Sequence, residues 1–230
     1  MTYYVSKISK NIKSYNYKVF GIYVAIKHFF SIFEIMNIEF DFFKIDKENL
    51  IPEKGKILIS EPFFDDTYFG RSVVLLTDHN DKGSVGFILN RFTDIKLSEV
   101  MSSLKNIKTN VSIGGPVETD TIHYMHTLGD LIPNSVHVFD NIYWGGDFEH
   151  LKTLLETNIV SKNQIRFFLG YSGWDAGQLE EELKNNYWVI SKISGKNIMI
   201  KDKEIWYNSL KKLGGKYKTW VNTPTNPELN

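Results

Sequence analysis

The sequence predicts an α+β fold: one domain built on a central, mostly antiparallel sheet flanked by helices. Three observations lead there. Two apolar runs, Ser72 to Thr77 and Ser84 to Asn90, are separated by Asp78-His79-Asn80-Asp81-Lys82-Gly83. Short β-branched and leucine-rich runs divided in this way read as an antiparallel hairpin, with Gly83 free to take the positive φ that closes the loop. Neither run alternates between apolar and polar, so both strands are covered on two faces and belong in the middle of the sheet. Strand and helix signals also follow one another irregularly instead of in βαβ units. Finally, 230 residues are enough to bury one sizeable core, and no Pro-, Gly- or Ser-rich spacer interrupts Lys56 to Leu213 to divide it.

Taken in order, Lys56 to Ser60 is a first strand, broken at Glu61-Pro62 because proline donates no amide hydrogen. Asp65 and Asp66 fit a turn or a helix cap. After the hairpin, Leu97 to Leu104 suits a short helix and Val111 to Ile113 a strand ending at Gly114-Gly115-Pro116. Ile122 to Thr127, Ser135 to Phe139 and Ile142 to Trp144 are further short strands. Asp147 is a suitable N-cap for a helix with Leu151, Leu154 and Leu155 on one face. Gln164 to Tyr171 is an apolar strand. Asp175 and Gln178 then have capping-box spacing for a helix over Ala176 to Asn186, whose Glu180, Glu181 and Glu182 lie near its positive end. Trp188 to Ser191 and Asn197 to Lys201 read as edge strands. Asp202 caps a last helix carrying Ile205, Trp206, Leu210 and Leu213 inward, with Gly214 as its stop. A mobile tail is predicted from Lys216 to Asn230.

The first 35 residues differ from the rest. Val19 to Ile35 is the most apolar run, but its length is marginal for crossing a bilayer and Lys27 and His28 fall near its centre, so no membrane span is predicted. It lacks a signal-peptide cleavage site. An amphipathic helix, a disordered arm and translated sequence upstream of a natural start at Met36 all fit. The last is preferred, which puts an extension at 1–35 and the folded domain at 36–215. Lys plus Arg and Asp plus Glu are 27 each, so no net field draws the molecule to nucleic acid, and no sequence-specific nucleic-acid partner is expected. Zero cysteines exclude disulfides, thiolate nucleophiles and Cys-ligated metal sites, and fit a cytoplasmic address.

Several stretches carry a family likeness. The run L-x-S-E-P-F-F-D-D-x-x-F-x-R-S-V-V-L-L-x-x-H from Leu58 to His79, then G-F-I-L-N-R from Gly86 to Arg91 and G-G-P-V from Gly114 to Val117, resembles the AlgH/YqgE family of bacterial proteins. The resemblance implies a family without an agreed biochemical activity; one family name derives from a proposed role in controlling alginate synthesis. On that basis the chain is expected to be a non-enzymatic binding or regulatory protein with an unknown protein or small-molecule partner. The alternative is an enzyme acting on a small anionic substrate at a cleft near Arg71 and Gly114-Gly115.

The candidate chemistry is sparse. Gly170-Tyr171-Ser172-Gly173-Trp174 nearly matches a nucleophile elbow, but Trp174 stands where the second glycine is needed. The resemblance adds that family members commonly carry alanine where this chain has Ser172. His123 and His126, three apart on a strand, point to opposite faces and cannot share a metal. No metal, cofactor or catalytic residue is therefore assigned. Adjacent residues at a strand end diverge, so Ser72, His79 and Asp78 cannot form a relay. Gly114-Gly115 suits either a tight turn or the presentation of amides to an anion. Arg71 directly precedes the central strand, and carboxylates of the Glu61 to Asp66 segment are its expected partners, unless it binds a ligand beside Asn90 and Arg91. Arg71, Asn90, Gly114, Gly115 and Tyr171 make up the candidate ligand-binding set.

Overall fold

A computed structural model describes residues 51–64 and 66–223. The predicted extension at 1–35, the start of the predicted domain, Asp65 and the tail beyond Thr223 lie outside the described residues. Ten strands form an α+β arrangement among those described: β1 (Ile57–Ser60), β2 (Val73–Asn80), β3 (Gly83–Ile88), β4 (Phe92–Lys96), β5 (Asn110–Ile113), β6 (Val117–His126), β7 (Val136–Phe139), β8 (Ile142–Trp144), β9 (Ile165–Asp175) and β10 (Trp188–Ser191). The main path runs β10-β1-β2-β3-β9-β6-β8-β7, with β5 beside β9 and β4 beside β5. Pairing is antiparallel except between β5 and β9.

The hairpin forms where its apolar runs predict it, and Val73 to Thr77 are all buried. Its loop is shorter than predicted. Asp78, His79 and Asn80 still pair with Val85, Ser84 and Gly83, because at the exposed strand end polar side chains cost nothing and the ladder can continue. Gly83, at φ 136°, closes the turn. β9 organises the sheet, since it pairs with β3 through Ser172 to Asp175 and with β5 and β6 through its first half. Gly170, at φ 62°, lies between these two stretches.

Helices cover the sheet. α1 (Leu97–Val100) is followed at once by a 3-10 turn at Ser102–Leu104, the two separated by extended Met101. α2 (Phe148–Glu156) has the predicted N-cap, Asp147 accepting from the His150 amide at 2.9 Å. Its Leu151, Leu154 and Leu155 pack with Tyr124, Ile165 and Phe167. α3 (Gln178–Lys184) is shorter than predicted and starts after Gly177 in the left-handed region. Gln178 still accepts from the Asp175 amide at 3.0 Å, which is half of the capping box. Leu179 and Leu183 bury against Leu58, Val74, Leu76, Ile88 and Trp188. Glu182 joins this helix to the sheet, taking the indole N–H of both Trp174 and Trp188 at 2.8 Å.

Two elements differ from the sequence reading at the C-terminal end. The predicted strand over Asn197 to Lys201 is instead α4 (Gly195–Met199), a single turn that buries Ile198. After α5 (Ile205–Leu213), which ends at Gly214 as expected, the chain forms α6 (Tyr217–Val221) where a mobile tail is predicted. Tyr217 and Trp220 are one helical turn apart, and both are buried.

Candidate functional site

The β2–β3 pairing brings Arg71 and Asn90 together. Asn90 bridges the two strands through its amide, donating to the Arg71 carbonyl at 2.9 Å and accepting from the Val73 amide at 3.0 Å. Arg71 holds a left-handed φ of 52° at this junction. Its guanidinium donates to the Thr223 carbonyl at 2.6 Å and lies over the Trp206 ring, 5.1 Å from the centroid. Arg91 grips the turn before β2, donating to the carbonyls of Tyr68 and Gly70. Asp66 caps the same turn, accepting from the amides of Tyr68 and Phe69 at 2.8 and 2.7 Å. The acidic segment is thus tied to the hairpin through Arg91, whose pKa burial lowers and the nearby Asp66 charge partly restores. Burial likewise lowers Arg71, and it raises Glu61 against an opposing hydrogen bond from the Phe63 backbone.

These residues open on a cleft of about 550 Å³. Arg71, Asn90 and Arg91 form one wall; Lys203, Glu204, Trp206 and Tyr207 form the other, and Phe92, Thr93 and Asp94 continue it along β4. Lys203 and Tyr207 are exposed to solvent.

Gly114, Gly115 and Tyr171 are assembled elsewhere, which corrects the expectation of one cleft shared by Arg71 and the glycine pair. The Gly114 amide donates to the Leu169 carbonyl at 2.7 Å, and its carbonyl accepts from the Ile88 amide and the Ser172 hydroxyl. Neither glycine has a positive φ. They are needed for close approach: a Cβ at Gly114 would lie 2.1 Å from the Gly170 oxygen, and one at Gly115 would lie 2.3 Å from the Tyr171 carbonyl. Tyr171 turns its edge to His123, with centroids 5.6 Å apart, and lines a different cleft with Ser84, Val117 and Gln178.

Ser172 does not sit on an elbow. β9 runs straight through it, and its hydroxyl is fully buried on Gly114. The histidines have separate surroundings. His123 lies among Phe87, Trp144 and Tyr171, whereas His126 is buried between Leu128, Ser135 and Gly145. His79 shares a 2.8 Å hydrogen bond between Nδ1 and the Ser84 hydroxyl, and its Nε2 lies 3.7 Å from Glu180.

Sequence reasoning missed one conspicuous residue. Arg166 stands in the apolar run Ile165 to Leu169 and is 3% exposed. It donates to the carbonyls of Ile198 and Leu89 and lies over the rings of Phe92 and Phe168. A charge inside such a run was the available signal.

This is a mostly antiparallel α+β sheet protein whose arginines converge on polar clefts at the strand ends. The chain belongs to the AlgH-like family, whose family model matches residues 57–218. A UPF0301 protein of Bacteroides thetaiotaomicron is 47% identical over 199 residues, 85% of this chain and 100% of that protein. One from Cytophaga hutchinsonii is 45% identical over 179 residues, 77% of this chain and 98% of that protein. The solution structure of the AlgH protein from Pseudomonas aeruginosa has the same fold, with TM-score 0.60 and 24% identity over 79% of this chain and 97% of that one. So does a crystal structure of a Corynebacterium diphtheriae protein, with TM-score 0.60 and 19% identity over 77% and 94%.

Proposed function

We propose that this chain works by binding: a small anionic ligand is held in the cleft of Arg71, Arg91 and Lys203, and its presence is read by a protein partner. That makes it a non-enzymatic binding or regulatory protein acting in the cytoplasm. One observation carries this reading. Three cationic side chains and the aromatic residues Trp206 and Tyr207 line a single concave site whose wall is fixed in advance by the Asn90 bridge and by the grip of Arg91 on the turn. Donors fixed before the ligand arrives lose little freedom on binding, which is how a small site gains affinity. Asp94 and Glu204 in the same lining oppose a second negative charge, so a compact anion is favoured over an extended one.

Native mass spectrometry of protein purified from its own host tests the proposal. The expected spectrum contains a bound small anion that is lost from Lys203→Ala/Tyr207→Ala. A ligand-free wild-type spectrum, or a ligand retained by that variant, would contradict it.

A second reading, as an enzyme, has a different observation in its favour. Ser84, His79 and Glu180 stand in line, hydroxyl to imidazole to carboxylate, which is the order that activates a nucleophile. Cross-strand pairing of His79 with Ser84 accounts for the same contact structurally. Ser84→Ala separates the two, since loss of a nucleophile lowers turnover by roughly a thousandfold or more and loss of a cross-strand pair does not.

A further inference from the structure

We infer that a second cleft, around Arg166, binds a small molecule through a phosphate group. This cleft of about 780 Å³ lies between the start of β9, the loop leading into β5, and α4 with the residues that follow it. Four cations line it: Arg166 deepest, with Lys108, Lys196 and Lys201 exposed around it. No carboxylate belongs to the lining, and among the described residues none lies within ion-pair distance of these four.

Arg166 is almost wholly buried, at 3% exposed. A guanidinium taken out of water costs several kilocalories per mole unless charge or hydrogen bonds offset the loss. Here two of its nitrogens reach main-chain carbonyls, while the buried Nε has no hydrogen-bond partner. Lys201, held on the Asn110 carbonyl at 3.2 Å, is close enough for the Arg166 charge to add to the burial that lowers its own pKa. Like charges brought together without a counter-charge are the state expected of a site whose counter-charge is its ligand. The remaining polar lining, Asn110 and Asn163 among it, offers amides that suit oxygen-rich groups.

Phosphate fits this arrangement better than a single carboxylate, because it alone can present about two charges and three acceptor oxygens at once. A small molecule fits better than a polynucleotide, since the cations are gathered in one hollow on a chain of zero net charge. The Arg71 cleft differs in having carboxylates of its own, and the two sites are separable by mutation.

The probe is pyrophosphate, titrated into the full chain at physiological salt while the thermal midpoint is followed; a ligand that binds only the native state raises the midpoint with concentration. A saturable rise is expected in the wild type and in Lys203→Ala. In Lys196→Ala/Lys201→Ala, which changes only exposed side chains, the affinity should fall by about tenfold or more. Arg166→Met gives a second measure and should lose the response while remaining folded. No saturable rise up to about 10 mM, a range that reaches the weakest specific affinities, would overturn the site. Equal affinity in the double variant would do the same. A single-stranded oligonucleotide that binds where pyrophosphate does not would overturn the small-ligand assignment.

Discussion

Replacing Asn90 with alanine removes two hydrogen bonds at once and leaves the Arg71 carbonyl and the Val73 amide without their partner at the mouth of the central hairpin. Each part-buried backbone group so stranded costs about 1–3 kcal/mol. Asn90→Ala should therefore lower stability by about 2–4 kcal/mol in chemical denaturation, whereas Asn90→Asp, which keeps the acceptor for Val73, should cost less. A fall under about 0.5 kcal/mol, the usual size of an uninvolved surface change, would show that the bridge is idle. His126 makes a pH prediction. It accepts the Leu128 amide at Nδ1, so Nε2 carries the proton and donates to the Gly145 carbonyl. Burial lowers its pKa against that carbonyl's opposing effect, and burial lowers His123 likewise. The unfolded chain thus takes up protons first. Stability is full above pH about 6.5, the ordinary value, and declines as pH falls towards the lowered native values. His126→Asn should flatten that acid limb, and an unchanged slope would remove His126 from it. Of the candidate site residues, Arg71 and Asn90 were legible together because they flank two strands joined by a short loop. Arg166 was not, because its lysine neighbours come from two segments far from it in sequence, Lys108 on one and Lys196 and Lys201 on the other.

The elements read most surely from sequence are those whose burial is two-sided or whose caps are explicit, such as the β2–β3 hairpin and α2. β4, with the sequence Phe92-Thr93-Asp94-Ile95-Lys96, went unread because it is half-exposed and polar, so neither an apolar run nor strict alternation marks it. α4 was misread as a strand because Asn197-Ile198-Met199-Ile200 is β-prone locally, and one turn is too short for helical periodicity to show. α6 was hidden by the polar residues around its two aromatics. Trp220 is fully buried, and replacing such a ring with alanine typically costs 3–5 kcal/mol. Trp220→Ala should accordingly destabilise by about 3 kcal/mol or more in chemical denaturation. A variant as stable as the wild type would mean that this helix is dispensable. Gly114 and Gly115 belong at this scale too. Their role, letting the segment after β5 pass against β9 at Gly170 and Tyr171, joins residues more than fifty apart in sequence, and no local pattern reveals such a crossing.

At the scale of the whole molecule, no helix among the described residues is long and apolar enough to cross a membrane. Among the described residues, two core clusters lie between the sheet and the helices laid on it, within the stretch 57–218 that the family model matches. From their composition and from the family match beginning at residue 57, residues 1–35 are expected to add little stability. The full chain and a form beginning at Met36 are expected to unfold within a few degrees of each other, and a loss of several kilocalories per mole on truncation would show that the first 35 residues are integral. The two clefts lie where the core frays into strand ends and short helices, and this is why their chemistry is read from tertiary structure more than from motif. The proposed role of the Arg71 cleft is to bind an anion without turning it over. Its most direct test is calorimetric titration of the co-purified anion into the wild type and into Lys203→Ala, with the ligand recovered and analysed afterwards. Stoichiometric binding is expected in the wild type, with affinity lowered by about tenfold in the variant, equivalent to about 1.4 kcal/mol, and the ligand recovered unchanged. Equal affinity in both proteins, or a ligand recovered as product, would contradict it.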